Sequence, residues 1–252
     1  MLLRTENITK KYGSKTIIGD INITLGKGEI VSLLGVSGAG KTTLFNIIAG
    51  LINPDEGRIF LNDEDITGQS GRIGYMLQKD LLLPHKKIVD NVSLPLQLRG
   101  VKKADARAQA SPLFADFGLD GYQDKYPCQL SGGMRQRAAL LRTHLASSDI
   151  ALLDEPFSAL DTITKSAMHK WYLDVADRIG MSTLLITHDI DEAILLSDRI
   201  YILRPEPAGA ADKSGAGRIA GEIKITQPRP RSGDFNLTEE FLSYKKQIIQ
   251  ML

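Results

Sequence analysis

At 252 residues the chain is long enough for one large α/β domain or for one domain with an inserted lobe. Its 31 lysines and arginines against 30 aspartates and glutamates argue against a broadly basic, nucleic-acid-binding surface, and the lone Cys128 excludes an intramolecular disulfide and fits a reducing compartment. No apolar run reaches the roughly 18 residues of a membrane helix and Met1–Asn7 lacks the charged-then-apolar order of a signal peptide, so the expectation is a soluble cytosolic chain that meets a membrane only by docking on a partner.

Alternation of Leu3, Ile8, Ile17, Ile18, Ile21, Ile23 and Leu25, interrupted by Gly13, Gly19 and Gly26, predicts two or three short antiparallel strands. Tyr12, between Lys11 and Gly13, is expected in a turn as an exposed loop tyrosine. Residues 29–46 then read as an apolar strand, a glycine-rich turn and a helix. The spacing of Gly35, Gly40, Lys41 and Thr42 matches G-x-x-x-x-G-K-[ST], in the strand-to-helix context that the motif requires. The physical logic is a phosphate cradle. Glycines let the backbone of Gly35, Val36, Ser37, Gly38, Ala39 and Gly40 curl close to phosphate oxygens, at a helix N-terminus whose N–H groups and dipole favour negative charge. In such a cradle Lys41 bridges the β- and γ-phosphates, Thr42 offers its hydroxyl to Mg²⁺ and Thr43 reaches another phosphate oxygen. A chance loop in a chain with 23 glycines is the competing explanation, and the flanking strand and helix count against it.

The helix from Lys41 ends at Gly50, with Pro54 beyond it as a stop. Arg58–Leu61 and Arg72–Leu77 are strand candidates separated by a polar turn at Asn62–Asp65, and Gln78 at the end of the second reads as a solvated side chain. From Leu81 to Gln129 helical periodicity takes over. Ile88, Val92, Leu96 and Leu98 share one apolar face despite Pro95, and Ala104–Phe117 forms another helix ended by Gly118, together an inserted helical lobe over about 79–129. The next helix opens at Leu130–Arg137 with Ser131 as N-cap. Gly132 and Gly133 in its first turn leave N–H groups uncovered for an anion, at a cost of about 0.5–1 kcal/mol each relative to alanine.

Ile150–Leu153 is a buried strand stopped by Asp154-Glu155-Pro156. Two carboxylates at the carboxyl edge of a parallel strand, in a chain that carries a phosphate cradle, point to Mg²⁺ and water handling. Asp161–Ile179 makes an amphipathic helix with Ile163, Ala167, Trp171 and Val175 as its apolar stripe, Trp171 serving as core packing. Thr183–Thr187 is another buried strand and delivers His188 at its end, whereas His85, His144 and His169 have no catalytic neighbours. A strand at Asp198–Leu203, a linker at Pro205–Gly217, strand-like alternation at Ile219–Ile225 and a tail helix capped by Asn236 complete the order, with 217–252 as a C-terminal extension.

Gly35–Thr42, Gln78, Leu130-Ser131-Gly132-Gly133, Leu153-Asp154-Glu155-Pro156, Ser158-Ala159-Leu160-Asp161 and His188, in this order, resemble the nucleotide-binding subunit of an ATP-binding cassette (ABC) transporter over residues 1–204. The resemblance implies an α/β P-loop ATPase in which residues 1–252 form one domain, with a mainly parallel sheet core, an N-terminal antiparallel β subdomain and the helical insertion. It implies ATP and Mg²⁺ as cofactors. Carried onto this sequence, it has Tyr12 stack on adenine, Gln78 bind Mg²⁺ and the attacking water, Asp154 hold Mg²⁺ through water, Glu155 act as general base and His188 contact the γ-phosphate. Ser131, Gly132 and Gly133 would close over ATP held by the cradle of a second copy, with Asp161 in the loop that crosses a homodimer interface.

Within the superfamily, Tyr75–Pro84, Asp90-Asn91-Val92, His188–Ala193 and Pro228–Arg231 are similar to the nitrate/sulfonate/taurine importer group, which also includes transporters of pyrimidine and riboflavin precursors. His85 where many members have tryptophan, and Met134 where glutamine is common, are departures. The implied setting is peripheral, on the cytoplasmic face of the inner membrane, docked on integral membrane permease subunits that an external solute-binding protein feeds, with no nucleic acid. A soluble cassette ATPase of DNA repair, chromosome maintenance or translation is the alternative. The balanced charge and the single cassette, with Ser131 only 90 positions after Lys41 (131 minus 41), count against it.

Overall fold

In the computed structural model, which describes residues 1–147, 149–206 and 215–252, strands β1 (Leu3–Tyr12), β2 (Lys15–Ile21), β3 (Thr24–Leu25) and β4 (Ile30–Gly35) precede helix α1 (Lys41–Ile48). Strands β5 (Glu56–Leu61), β6 (Glu64–Asp65) and β7 (Gly74–Met76) follow, then short helices α2 (Ile88–Val92), α3 (Leu94–Leu98), α4 (Lys103–Ala110) and α5 (Leu113–Asp116). The chain continues through α6 (Gly132–Ala146), β8 (Ile150–Asp154), α7 (Thr162–Ile179), β9 (Ser182–Thr187), α8 (Ile190–Leu196), β10 (Arg199–Pro205), β11 (Gly217–Lys224) and α9 (Glu239–Met251). Most of the linker expected at Pro205–Gly217 lies outside the described residues. Two compact units result, Met1–Arg72 with Ser182–Leu252, and Ile73–Met181. Among the described residues no helix is long and apolar enough to cross a membrane.

In the first unit the strands run β6-β5-β1-β2-β11-β10-β4-β9 as a mixed sheet. The antiparallel strands expected at the N-terminus are present as β1, β2 and β3, the strand expected at Arg58–Leu61 joins them as β5, antiparallel to β1, and β4 is parallel to both β10 and β9. Every residue of β4 is buried, as a strand must be when parallel neighbours flank it and both faces are covered. The C-terminal helix α9 lays Phe241, Tyr244 and Ile248 on a cluster with Leu34, Ile200, Ile202 and Ile223.

Three local expectations need correction in this unit. Tyr12 is the last residue of β1, paired with Lys15, because the hairpin turn takes only Gly13 and Ser14; its side chain is exposed as expected. The turn at 62–65 is likewise two residues: Asn62 and Asp63 adopt φ 51° and 63°, the left-handed pair that a tight hairpin requires, and Glu64-Asp65 pairs back as β6. The cap of α9 is Thr238, whose Oγ1 accepts the Phe241 N–H at 3.2 Å, since Asn236 is already taken into a 3-10 turn.

In the second unit β7 and β8 are parallel, with Met76 opposite Leu153. Both expected longer helices are broken. Pro95 sits in the first turn of α3, where its missing N–H is harmless, so the helix restarts there and Leu98 is 80% exposed; Pro112 separates α4 from α5 in the same way. The apolar stripe of α7 is also corrected. Met168, Tyr172, Val175 and Ala176 are buried while Ile163 is 85% exposed, because each step of four residues overshoots a turn by about 40° and a series of such steps winds off the core face. Trp171 does pack internally, edge-on to Phe117 at 6.0 Å with the Arg137 guanidinium 4.6 Å over its ring.

Candidate active site

The cradle forms where β4 ends. A Cβ on Gly35 would lie 2.2 Å from the carbonyl oxygen of Leu203 on β10, and one on Gly40 would lie 2.3 Å from Cγ2 of Ile18 on β2, so the loop fits only because both are glycine. Gly40, at φ 99°, is the N-cap of α1 and supplies no side-chain cap, whereas Ser131, Asp161 and Asp189 each accept an N–H from the first turn of their own helices. A first turn without a side-chain cap favours an external anion. Lys41, only 8% exposed, curls back over the loop and donates to the carbonyls of Gly35 at 2.7 Å and Val36 at 3.0 Å. Val36, Ser37 and Gly38 are exposed and Ala39 is buried, with Thr42 exposed and Thr43 half-buried in the first helical turn.

The parallel register of Leu34 with Thr187 puts the exposed His188 level with Gly35, at the same edge of the sheet. Asp189 follows as the α8 cap, its N–H donating to Thr187 Oγ1 at 3.0 Å, while Thr187 Oγ1 donates to Glu192 Oε2 at 2.7 Å. Tyr12 stands on the hairpin whose second strand abuts Gly40.

In the second unit, the register of β7 with β8 places Gln78 and Glu155 just beyond the carboxyl ends of neighbouring parallel strands. There Gln78 Nε2 donates to Glu155 Oε2 at 3.1 Å, which leaves the glutamine carbonyl oxygen as its remaining ligand atom. Glu155 has φ 47°, a left-handed backbone that costs a non-glycine residue on the order of 1–3 kcal/mol. The turn is held by Ser158, whose N–H and Oγ–H donate to the Glu155 carbonyl at 3.2 and 2.9 Å. Asp154, at the strand end, is 7% exposed; burial, and then its carboxylate charge, push the Tyr75 phenol well above the usual tyrosine range, so Tyr75 stays protonated beside it.

Ser131, Gly132, Gly133 and Asp161 line one open groove of about 480 Å³. Asp161 is both the α7 cap and a groove residue, and its bond with Thr164 holds the carboxyl below the usual aspartate range. Gln78 shares a neighbouring groove of about 390 Å³ with Gly132, Arg135 and Leu160. The expected residues therefore gather as three groups: the cradle with His188, the Gln78–Glu155 pair, and the Ser131–Asp161 groove. Sequence reading passed over Tyr75, and also Arg135 and Arg142, which reach the Asp80 segment from α6; their spacing of seven on one helix face was the available signal.

The family model described as ABC transporter matches residues 18–158. A formylaminopyrimidine import ATP-binding protein of Halalkalibacterium halodurans is 46% identical over 207 residues, 82% of this chain and 81% of that protein. An aliphatic sulfonates import ATP-binding protein of Burkholderia cenocepacia is 40% identical over 222 residues, 88% of this chain and 77% of that protein. Among solved structures, the dimeric post-hydrolysis state of the ATP-binding cassette MJ0796 bound to ADP and Pi aligns with a TM-score of 0.70 at 28% identity, covering 90% of this chain and 100% of the other.

Proposed function

The chain belongs to the ABC transporter family, and from that premise we propose that it is the ATP-binding and ATP-hydrolysing subunit of an importer, with Glu155 as the general base. The observation that carries the catalytic reading is the Gln78–Glu155 contact beyond β7 and β8: an amide and a carboxylate converge where one water can be both oriented and deprotonated. Lys41 exchanges its two loop carbonyls for β- and γ-phosphate oxygens, the first turn of α1 donates its N–H groups, Tyr12 stacks on adenine and His188 contacts the γ-phosphate.

The Thr42 hydroxyl in the first unit, and the Gln78 amide oxygen and Asp154 carboxylate in the second, are each oxygen donors of the kind that Mg²⁺ takes and would be the residues to hold it. Mg²⁺, when bound, would supply charge neutralisation to the phosphates. Ser131, Gly132, Gly133 and Asp161 complete the site of a second copy in a homodimer, which the dimeric relative supports.

The names of the two import relatives support docking on membrane permease subunits and a cargo of sulfonate or pyrimidine-precursor type. The same reading puts the chain on the cytoplasmic face as a peripheral subunit, extends the cargo to taurine- or nitrate-like solutes and has an external binding protein deliver it. The test is Glu155→Gln. Hydrolysis is expected to fall about 10²- to 10⁴-fold while ATP affinity stays within about twofold and an ATP-bound dimer accumulates on gel filtration. Turnover at the wild-type rate removes Glu155 from the mechanism.

A further inference from the structure

We propose that Arg142 is a positioning residue for ATP hydrolysis: from α6 it fixes the backbone at Asp80 and Leu81, and through that segment the placement of Gln78 against Glu155. The inference rests on the reading above that Gln78 and Glu155 act in hydrolysis.

The guanidinium of Arg142 donates to the Asp80 carbonyl at 2.5 Å and to the Leu81 carbonyl at 2.9 Å. Leu81 has φ 45°, and the residue is 52% exposed, so leucine packing does not hold this strained backbone. The bonds from α6 do. Two turns earlier on that helix, Arg135 Nε donates to Asp80 Oδ2 at 3.2 Å, while Asp80 Oδ1 accepts the Leu82 N–H at 3.1 Å. From the other side the fully buried Asn91 accepts the Leu83 N–H at 2.6 Å and donates back to the Leu83 carbonyl at 3.1 Å. Between this clamp and Gln78 only Lys79 intervenes.

Burial depresses the pKa of Arg142, which marks the site as costly for a cation, yet arginine remains protonated in proteins and its bonds here are charge-assisted. A side chain placed at such cost on two backbone carbonyls secures geometry. A water-orienting amide is sensitive to geometry, since a misplacement of about 1 Å can cost on the order of 10²-fold in rate.

The experiment compares wild type, Arg142→Met, Arg142→Lys, Gln78→Ala and the Arg142→Met/Gln78→Ala double variant as full chains, by steady-state ATP hydrolysis, nucleotide affinity and thermal melting. Arg142→Met is expected to lower kcat about 10- to 100-fold with the KM for ATP within about twofold, and Arg142→Lys to recover part of the loss. In the Gln78→Ala background the same substitution should cost less than about twofold, because the residue it positions is gone. Losses that multiply in the double variant, or a raised KM at unchanged kcat, overturn the proposal. Where Arg142→Met does not fold, Arg142→Lys in the two backgrounds carries the same comparison. If Gln78→Ala leaves kcat unchanged, the catalytic reading of Gln78 falls and this inference with it; if Gln78→Ala slows turnover and Arg142→Met does not, only the inference falls.

Discussion

Helices α1 and α6 both start in glycine, but the glycines answer to different neighbours. At Gly40 an added Cβ would come within 2.3 Å of Ile18, and φ is 99°, so the fold of this chain itself demands glycine. At Gly132 the nearest heavy atom to an added Cβ is 4.0 Å away, on the Arg135 guanidinium, and at Gly133 it is the Met168 sulfur at 3.7 Å. Among the described residues of this unit none requires glycine at 132 or 133 by its packing. Their first turn is moreover capped by Ser131, where that of α1 has no side-chain cap. The difference teaches that the chain's own packing demands the α1 glycine and does not demand those of α6, which agrees with the proposed closure of the α6 turn on a second copy's nucleotide.

The comparison breaks most visibly at Lys41. Lys41→Ala is expected to raise the Kd for ATP about 100-fold, the loss of a charge-assisted contact worth roughly 2–3 kcal/mol, read by nucleotide titration; an unchanged Kd would remove the α1 start from nucleotide binding. Next comes Gly40→Ala against Gly132→Ala. The first should destabilise the fold by about 1–3 kcal/mol, with melting as the measure, and the second should melt at or slightly above wild type while losing ATP-dependent dimer. Equal losses of stability would erase the distinction drawn here.

Ser131→Ala should cost about 1 kcal/mol, a melting point lower by roughly 2–4 °C, and leave the ATP affinity of the single chain untouched. The smallest effect belongs to the far end of α6. His144 lies 6.1 Å from the Phe117 ring, and burial holds its pKa below the ordinary histidine value of 6.5. The unfolded chain therefore binds the extra proton first, and stability should decline as pH falls below about 6.5 and be unaffected above it. His144→Phe is expected to flatten that decline by no more than roughly 2–4 °C in melting point, measured at acidic and at neutral pH.

Legibility followed range along the chain. The cradle from Gly35 to Thr43, the Ser131 cap and the strand that ends in Asp154 and Glu155 each depend on a few consecutive residues whose turn and burial preferences agree. The core face of α7 was misplaced because spacing by four is an incomplete description of a 3.6-residue helix, and only its neighbours decide which flank is covered. The helical breaks lie in the residues themselves, at Pro95 and Pro112, because proline suits a helix start and not a helix interior.

Sequence by itself determined the chemistry: a phosphate loop, two carboxylates at a strand end, a glycine pair at a helix start and a histidine after a buried strand. What only the tertiary structure decided is which of these meet. Gln78 and Glu155 lie 77 positions apart and touch because β7 and β8 pair in one parallel register, and Arg142 reaches the Asp80 carbonyl across 62 positions because α6 packs beside that segment. Local preferences reach only as far as a turn or a helix end. Register and packing partner are instead selected by burial summed over the whole unit, and no short stretch of sequence carries that sum.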